Sequence, residues 1–509
     1  MSPASRPTPP EDPGSAPTLE PKPASLADAV VPLVTLIVLV AGSLALFGLD
    51  ALDGPIQVAL LLCCMVVALI ALKNKHPWDR VQAAGQSALG SITSAVFILL
   101  AVGALIGTWN MSGTIPTLVY YGIQVLSPSW FYVATAVICG VVAMSIGSSW
   151  TTAGTIGVGL VGIAGMLGVS PAIAAGAVIS GAYLGDKLSP LSETTILTAQ
   201  MVKVDLMTHI KAQAWTSLPA FGIACVVFTV LGLTRPAAAD ATPTSVELAS
   251  LNQVFWITPL NLLPLVLLIV LSVRKAPPSL ALLTSSMFAG LTGAILQPGV
   301  FATFIGADGL GPITAIKATW QAMATGFTAS TGITDVDRLL SRGGMDSMLF
   351  TLWLIIGAVT FGALMDELGF IGRLVEPMIV RATTRGKLYL AVFASAFGLN
   401  IVAGDQYIAL VLPARTYRAE FAKRGLAPQN LSRLCADSGT VTSPLVPWNS
   451  CGAFMGSTLG VSTLLYLPFC LFNIISPLLS VVYGFTGFKI IKTEPAATDS
   501  GEPQPKEIS

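Results

Sequence analysis

Charged side chains are scarce in this sequence. Of its 509 residues only 10% are Asp, Glu, Lys or Arg, whereas 53% are hydrophobic. Soluble domains are roughly a quarter charged, so this composition excludes an ordinary water-soluble protein. The 26 basic residues balance the 26 acidic ones, which leaves no basic excess to hold a nucleic acid. We therefore expect no nucleic-acid partner.

Histidine and cysteine are also rare. The chain has 2 histidines, His76 and His209, and 7 cysteines without a Cys-x-x-Cys pair. Scattered cysteines argue against a disulfide framework or a structural zinc site, and neither histidine stands in a His-Glu-x-x-His motif. No nucleophile, base and orienting group are recognisable together. The sequence thus predicts a protein that is not an enzyme and has no cofactor.

Long apolar runs fill the chain between its two ends. Each is close to the length of about 20 residues that a helix needs to cross a bilayer, about twice that of a barrel strand. The runs are 30–49, 56–72, 87–109, 130–146, 213–234, 255–273, 279–297, 347–367 and 463–485. They predict an all-α polytopic protein in a lipid bilayer, with about 11 to 13 membrane segments including re-entrant ones. The stretches 150–200, 370–420 and 434–458 are also apolar, but Gly, Pro, Ser and Thr interrupt them.

The two ends are polar. Residues 1–27 are rich in proline and predict a disordered tail, and residues 489–509 predict a second one. Short basic loops follow several apolar runs, and the excess of Lys and Arg in such loops marks the cytoplasmic side. The residues of these loops include Lys73, Arg274, Arg415, Arg418, Arg433 and Lys489. We interpret the arginines as loop anchors and expect both tails in the cytoplasm.

An internal repeat links the two halves of the chain. Gly147-Ser148-Ser149-Trp150 corresponds to Gly404-Asp405-Gln406-Tyr407, and later Gly185-x-x-x-Ser189-Pro190-Leu191 corresponds to Gly439-x-x-x-Ser443-Pro444-Leu445. The order predicts a first repeat over 28–235, a linker over 236–253 and a second repeat over 254–488. Paired broken segments in two halves point to a transporter's binding site. The alternative is that Gly, Ser and Pro only allow close helix packing and kinks.

The few charges in the apolar region lie at these repeated motifs. No charged residue occurs from Val81 to Gly185, and then Asp186, Lys187 and Glu193 follow within a cluster of hydroxyl side chains. Asp437 precedes the second Ser-Pro-Leu in the same way. Charges at membrane depth are costly and mark functional candidates. Proline also frees the carbonyl four residues earlier, here at Asp186 and Thr440.

A carboxylate in this setting can hold either a proton or a hard cation, and competition between the two is sufficient for antiport. A simpler alternative is that Asp186 and Lys187 pair with each other at a membrane interface while Glu193 is solvated.

The motifs resemble those of the NhaC-type sodium/proton antiporter family. The resemblance rests on Gly147 to Thr155, Gly181 to Thr195 and Asp437 to Gly452. It implies a secondary transporter of bacterial inner membranes, built from two inverted-topology repeats with interrupted helices and re-entrant hairpins. Such a protein moves a cation or an organic solute against protons or sodium.

We therefore predict Na+/H+ antiport, with Asp186 and Asp437 as the leading proton carriers and Na+ ligands and Glu193 next. Neutral oxygens are expected from Ser148, Thr151, Ser189, Thr194, Ser443 and Asn449, with Asp405 and Asn400 as further candidates. The alternative is a Na+- or H+-coupled exchanger or symporter of a malate- or lactate-like acid or an amino acid. In that case Trp150, Asn449 and Arg433 would contact the substrate. A passive channel and a homo-oligomer both stay open.

Overall fold

The computed structural model describes residues 22–234 and 244–493. The predicted N-terminal tail lies mostly outside these ranges, as do most of the C-terminal tail and part of the linker. The first helix begins at Leu26, where Ser25 and Asp28 cap each other's backbone N–H groups. The linker region includes a helix over Thr244–Val254.

Helices make up the first half of the chain. They are α1 (Leu26–Phe47), α2 (Pro55–Lys73), α3 (Trp78–Ser91), α4 (Thr93–Met111), α5 (Thr114–Val125), α6 (Phe131–Ile146), α7 (Ser149–Thr152), α8 (Val158–Met166), α9 (Pro171–Leu188), α10 (Glu193–Val202) and α11 (Leu206–Thr234). A π-helical turn over Ala153–Gly157 joins α7 to α8. Such turns occur frequently at functional sites.

The second half is helical as well. It contains α12 (Thr244–Val254), α13 (Leu263–Val273), α14 (Pro278–Leu296), α15 (Pro298–Phe304), α16 (Pro312–Thr325), α17 (Thr334–Leu340), α18 (Leu349–Glu367), α19 (Phe370–Arg381), α20 (Arg385–Val402), α21 (Gln406–Lys423), α22 (Pro428–Cys435), α23 (Ser450–Leu459), α24 (Thr463–Tyr466) and α25 (Leu471–Thr486). A second π-helical turn, Ala436–Thr440, extends α22. Within the described ranges, β-structure is limited to two isolated bridges.

Three pairs of helices at corresponding positions of the two halves have equal lengths. Helices α4 and α18 both have 19 residues, α5 and α19 both have 12, and α10 and α23 both have 10. Gly113 and Gly369 precede α5 and α19 with φ of 80° and 74°, a left-handed conformation that glycine adopts readily. These segments agree with the predicted repeat, whose bounds stay a prediction.

Within residues 22–234 and 244–493, six helices are long and apolar enough to cross a membrane. They are Leu26–Asp53, Pro55–Lys73, Thr93–Met111, Leu206–Thr234, Pro278–Leu296 and Asp346–Glu367. Two bent pairs, with angles of 86° and 93°, raise the number to 8 if each pair is one span, and two shorter helices, Phe131–Ile146 and Leu471–Thr486, are also apolar. The all-α polytopic class with interrupted helices is confirmed. The total of about 11 to 13 membrane segments stays a prediction.

Three of the predicted apolar runs are interrupted in the structure. The run 87–109 is divided at Ile92 between α3 and α4. In the run 255–273 helix begins only at Pro259, at an angle of 86° to the preceding helix Leu248–Val254, and the run 463–485 is divided around Pro468. Proline lacks the N–H that continues a helix and clashes with the preceding turn, so hydropathy alone overestimated the continuity of the last two runs.

The closest helix packing surrounds the end of α9. A Cβ atom added at Gly181 would overlap the backbone of Ala136 and Gly140 in α6, and one added at Gly185 would overlap Ala143. Small residues four apart let two membrane helices approach this closely. This contact fixes the position of the last turn of α9.

We expect Gly181→Ala to lower the unfolding free energy by about 1 to 3 kcal/mol, because the added methyl group has no room. The measurement is the thermal unfolding midpoint of the purified protein in detergent. Gly165→Ala in α8 is the matched control, since a Cβ there meets no atom within 4 Å. Equal midpoints for the two variants would contradict the close packing of α6 and α9.

Candidate functional site

A cavity of about 660 Å³ lies where the motifs of the two repeats meet. Seven of the predicted site residues line it, namely Ser148, Trp150, Thr151, Asp186, Glu193, Thr194 and Asp405. Further polar lining comes from Ser91, Ser94, Ser149, Ser192, Ser272, Lys275, Gln406, Tyr407 and Ser450, which the sequence did not single out as site residues. The exposed turn between α13 and α14, with Lys275 and Pro277, forms one edge of the cavity.

Asp186 is the acidic group most deeply set in this cavity. It lies in the last turn of α9 and is 7% exposed. Its carboxylate accepts a hydrogen bond from the backbone N–H of Ser149 at 3.1 Å and another from the Ser149 hydroxyl. Across the described ranges, no Lys, Arg or His lies within ion-pair distance of it. Asp186 therefore presents an uncompensated carboxylate to the cavity.

The carbonyls freed by the two prolines are occupied by hydroxyl groups. The carbonyl of Asp186 accepts hydrogen bonds from Thr195 Oγ1 at 2.5 Å and Thr194 Oγ1 at 3.2 Å. The carbonyl of Thr440 accepts one from Ser443 Oγ at 2.7 Å. Each proline thus breaks its helix as predicted, and neighbouring hydroxyls satisfy the exposed backbone oxygen.

The repeated Gly-polar-polar-aromatic motif forms two matching turns. Gly147 and Gly404 have φ of 80° and 61°. The following residues are N-caps: Ser148 Oγ accepts from the Thr151 N–H at 3.2 Å. Asp405 Oδ1 accepts from the Tyr407 N–H at 2.8 Å and the Ile408 N–H at 3.1 Å. One oxygen of the Asp405 carboxylate is therefore used to begin α21.

The aromatic residues of these turns contact the opposite repeat. Trp150 stacks on Phe454 of α23 with ring centroids 4.1 Å apart. The Tyr407 hydroxyl donates to Glu193 Oε2 at 3.1 Å. Glu193 is exposed and faces the cavity. Sequence reasoning missed Tyr407, although its alignment with Trp150 could have indicated it.

Asp437 belongs to a different environment. It forms an ion pair with Lys187, and both side chains have 0% exposure. Ser476 Oγ donates to Asp437 Oδ1 at 2.6 Å, and Thr216 Oγ1 donates to Oδ2 at 3.0 Å. Asp437 is not among the residues lining the cavity. The structure therefore does not bring Asp437 into the cavity with Asp186. The suggested pairing of Asp186 with Lys187 is wrong, since the partner of Lys187 is Asp437.

Four other predicted residues stabilise the broken segments without lining the cavity. Asn400 Nδ2 donates to the Gly439 carbonyl at 2.7 Å, and Asn449 Nδ2 donates to Asn400 Oδ1 at 3.1 Å. Ser443 bonds to the Thr440 carbonyl, and Ser189 Oγ accepts from the Leu191 N–H at 3.2 Å. These bonds replace helix hydrogen bonds lost at the breaks.

Arg433 does not behave as a loop anchor. It is 1% exposed, donates from Nη1 to the Lys489 carbonyl at 3.2 Å, and lies 5.7 Å from the Tyr483 ring centre. It is absent from the lining of the cavity. The interpretation as a loop anchor is therefore wrong for Arg433, whereas Arg415 and Arg418 are exposed as expected.

The histidines lie away from the cavity lining. His209 is buried and hydrogen-bonded to Ser432 at 2.8 Å. His76 follows α2, outside the spans, where burial and the nearby Arg80 guanidinium lower its pKa. Among the described residues, no group of three or more His, Cys, Asp or Glu side chains could hold a metal ion.

We expect Asp405→Ala to lower the unfolding free energy by about 1 kcal/mol, because the helix cap of α21 is lost. Asp405→Asn keeps an oxygen acceptor and should retain nearly all of this stability. Thermal unfolding of the two variants provides the measurement. An equal loss in both would mean that the charge of Asp405 stabilises the turn and its cap does not.

The sequence matches the Na+/H+ antiporter family over residues 24–199 and 181–488. The NhaC Na+/H+ antiporter of Alkalihalophilus pseudofirmus is 36% identical over 448 residues, covering 87% of this chain and 93% of that protein. The malate-2H+/Na+-lactate antiporter of Bacillus subtilis is 34% identical, covering 91% and 96% respectively. The arginine/ornithine antiporter ArcD of Halobacterium salinarum is 32% identical, covering 92% and 94%.

These relatives confirm the predicted family, and they confirm secondary active transport by Na+/H+ antiport as the predicted activity. The alternative, exchange of an organic acid, fits the relatives no better than Na+/H+ antiport does. The chain belongs to the Na+/H+ antiporter family and is a multi-pass membrane transporter of ions or small solutes.

Proposed function

We propose that Na+ and H+ compete for the carboxylate of Asp186 in the cavity, and that this competition couples their opposite movements. The observation that carries the proposal is the buried Asp186 carboxylate, which lines the cavity, accepts hydrogen bonds from Ser149, and has no cationic partner among the residues that the structure describes. A carboxylate without a cationic partner in a poorly hydrated site strongly favours an incoming cation or proton. One carboxylate oxygen cannot bind both at once.

Neutral oxygens surround the carboxylate. The hydroxyls of Ser148, Ser149, Thr151 and Thr194 line the same cavity, and hard monovalent and divalent cations prefer oxygen ligands. In the structure the Ser149 hydroxyl donates to Asp186. When Na+ binds, this hydroxyl would turn its lone pairs toward the ion. When a proton binds to Asp186, the serine can accept a hydrogen bond from it.

The charge of the cavity favours a cation over an organic acid. Its lining contains the carboxylates of Asp186, Glu193 and Asp405 and a single ammonium group, that of Lys275. A malate- or lactate-like substrate would meet net negative charge. Arg433, the residue expected to hold such a carboxylate, lies outside the cavity lining. Na+ as the transported ion therefore agrees better with the site.

The proposal also covers the absence of an enzymatic reaction and of a cofactor, and the orientation of the protein in its membrane. Membership of a transporter family supports transport without an enzymatic reaction or a resident cofactor. The exposed Arg415 and Arg418 and the basic turn with Lys275 support cytoplasmic termini in a bacterial inner membrane.

The first test is Asp186→Asn in everted membrane vesicles. We expect the variant to insert normally but to lose Na+-driven proton movement, measured as dequenching of a pH-sensitive dye, because the amide cannot exchange a proton for Na+. The exposed Asp79 provides the matched control as Asp79→Asn. Unimpaired exchange in Asp186→Asn would contradict the proposal.

The second test concerns substrate class. Reconstituted protein should take up 22Na+ in exchange for protons that leave down an outward proton gradient. This uptake should need no malate, lactate or amino acid. Lowering the pH on the side of Na+ entry should raise the apparent KM for Na+ by up to about tenfold per pH unit, as expected for competition at one group. Uptake that needs an organic acid would instead support the exchanger of organic solutes.

A further inference from the structure

We propose that the buried Lys187–Asp437 ion pair is a positioning pair that keeps the charge of Asp186 available to a cation. In this assignment Asp437 holds the Lys187 ammonium away from Asp186 and carries no transported ion itself. The inference rests on the proposed role of Asp186 as the site of Na+ and H+ competition.

The two neighbouring residues of α9 face different parts of the protein. Successive side chains on a helix point about 100° apart. Asp186 faces Ser149 and the cavity, whereas Lys187 contacts Asp437 and donates to Ser476 Oγ at 3.0 Å. The Phe472 ring centre lies 5.8 Å from the Lys187 nitrogen. An acid and a base adjacent in the sequence thus have separate partners.

Asp437 has the surroundings of a structural counter-ion. Its donors are Lys187 from the first repeat and the hydroxyls of Ser476 and Thr216. These groups satisfy both carboxylate oxygens, and the side chain is completely buried. A transported ion would have to displace the ammonium before it could reach this carboxylate.

Few other charges surround the pair. Arg433 belongs to α22, which directly precedes the π-helical turn that carries Asp437. His209 belongs to α11, the helix that also carries Thr216. The imidazole of His209 is hydrogen-bonded to Ser432 and Gln213. The neighbouring segments of α21 and α25 contribute the neutral residues Ala409 and Ser476.

The intact pair has no net charge, so the negative charge of Asp186 acts on the cavity alone. If Asp437 became neutral, the ammonium one residue from Asp186 would lose its counter-ion. In a medium of low dielectric constant, its attraction to the Asp186 carboxylate would compete with Na+. Neutralising both members removes this competition. The pair thus determines the affinity for Na+ without contacting the ion.

The experiment compares the Na+ dependence of exchange by reconstituted Asp437→Asn, Lys187→Met/Asp437→Asn and wild-type protein. We expect Asp437→Asn to raise the apparent KM for Na+ roughly tenfold or more, and the double variant to return it to within about threefold of wild type. Ser480→Ala, a buried change one turn beyond Ser476, is the matched control and should leave KM unchanged.

Loss of exchange in the double variant would overturn the inference, because Asp437 would then be needed as a carrier. An unchanged KM in Asp437→Asn would overturn it as well. If the single variant cannot be purified, the double variant alone decides, since it leaves no unpaired buried charge. The Asp186→Asn variant distinguishes a failure of the proposed function from a failure of the proposed role of the ion pair. An active Asp186→Asn contradicts the proposed function, whereas an inactive one together with an inactive double variant contradicts only the role of the pair.

Discussion

The cost of placing charge in a poorly hydrated interior governs the arrangement of this protein. Three buried acids at the repeated motifs have different surroundings. Asp437 is neutralised by Lys187, and Asp405 caps a helix with one oxygen. Asp186 is buried, lines the cavity, accepts hydrogen bonds from Ser149, and has no cationic partner among the described residues. An uncompensated charge is expensive, so its retention here is best understood through an ion or proton that compensates it during transport.

Broken helices make this arrangement feasible. Polar backbone groups are tolerated within a membrane only where protein or a cavity satisfies them. At both Ser-Pro-Leu motifs, hydroxyl groups satisfy these backbone oxygens by donating hydrogen bonds to the carbonyls of Asp186 and Thr440. The Asn400 side chain likewise donates a hydrogen bond to the Gly439 carbonyl. Several hydroxyl groups around the prolines therefore stabilise the helix breaks, and only some of the hydroxyl residues in these motifs line the cavity.

Much of this organisation was predictable from local sequence patterns. Hydropathy identified the long apolar helices, and the repeated motifs identified Asp186, Ser148 and Trp150 as residues of one site. The ion pair between Lys187 and Asp437 was not predictable, because 250 positions separate its members. The adjacency of Lys187 and Asp186 in the chain suggested only the alternative that these two pair with each other. Arg433 was misjudged for a related reason: its basic neighbours resemble a loop, but the Lys489 carbonyl and Tyr483 ring accommodate it inside.

The Lys187–Asp437 contact also limits how the cavity can change shape. It joins the broken segments of the two repeats, and Trp150 stacking on Phe454 joins them again nearby. Further lining of the cavity comes from the junction of α3 and α4 and from the turn between α13 and α14. A movement that preserves both links would therefore displace the joined segments together, relative to this further lining.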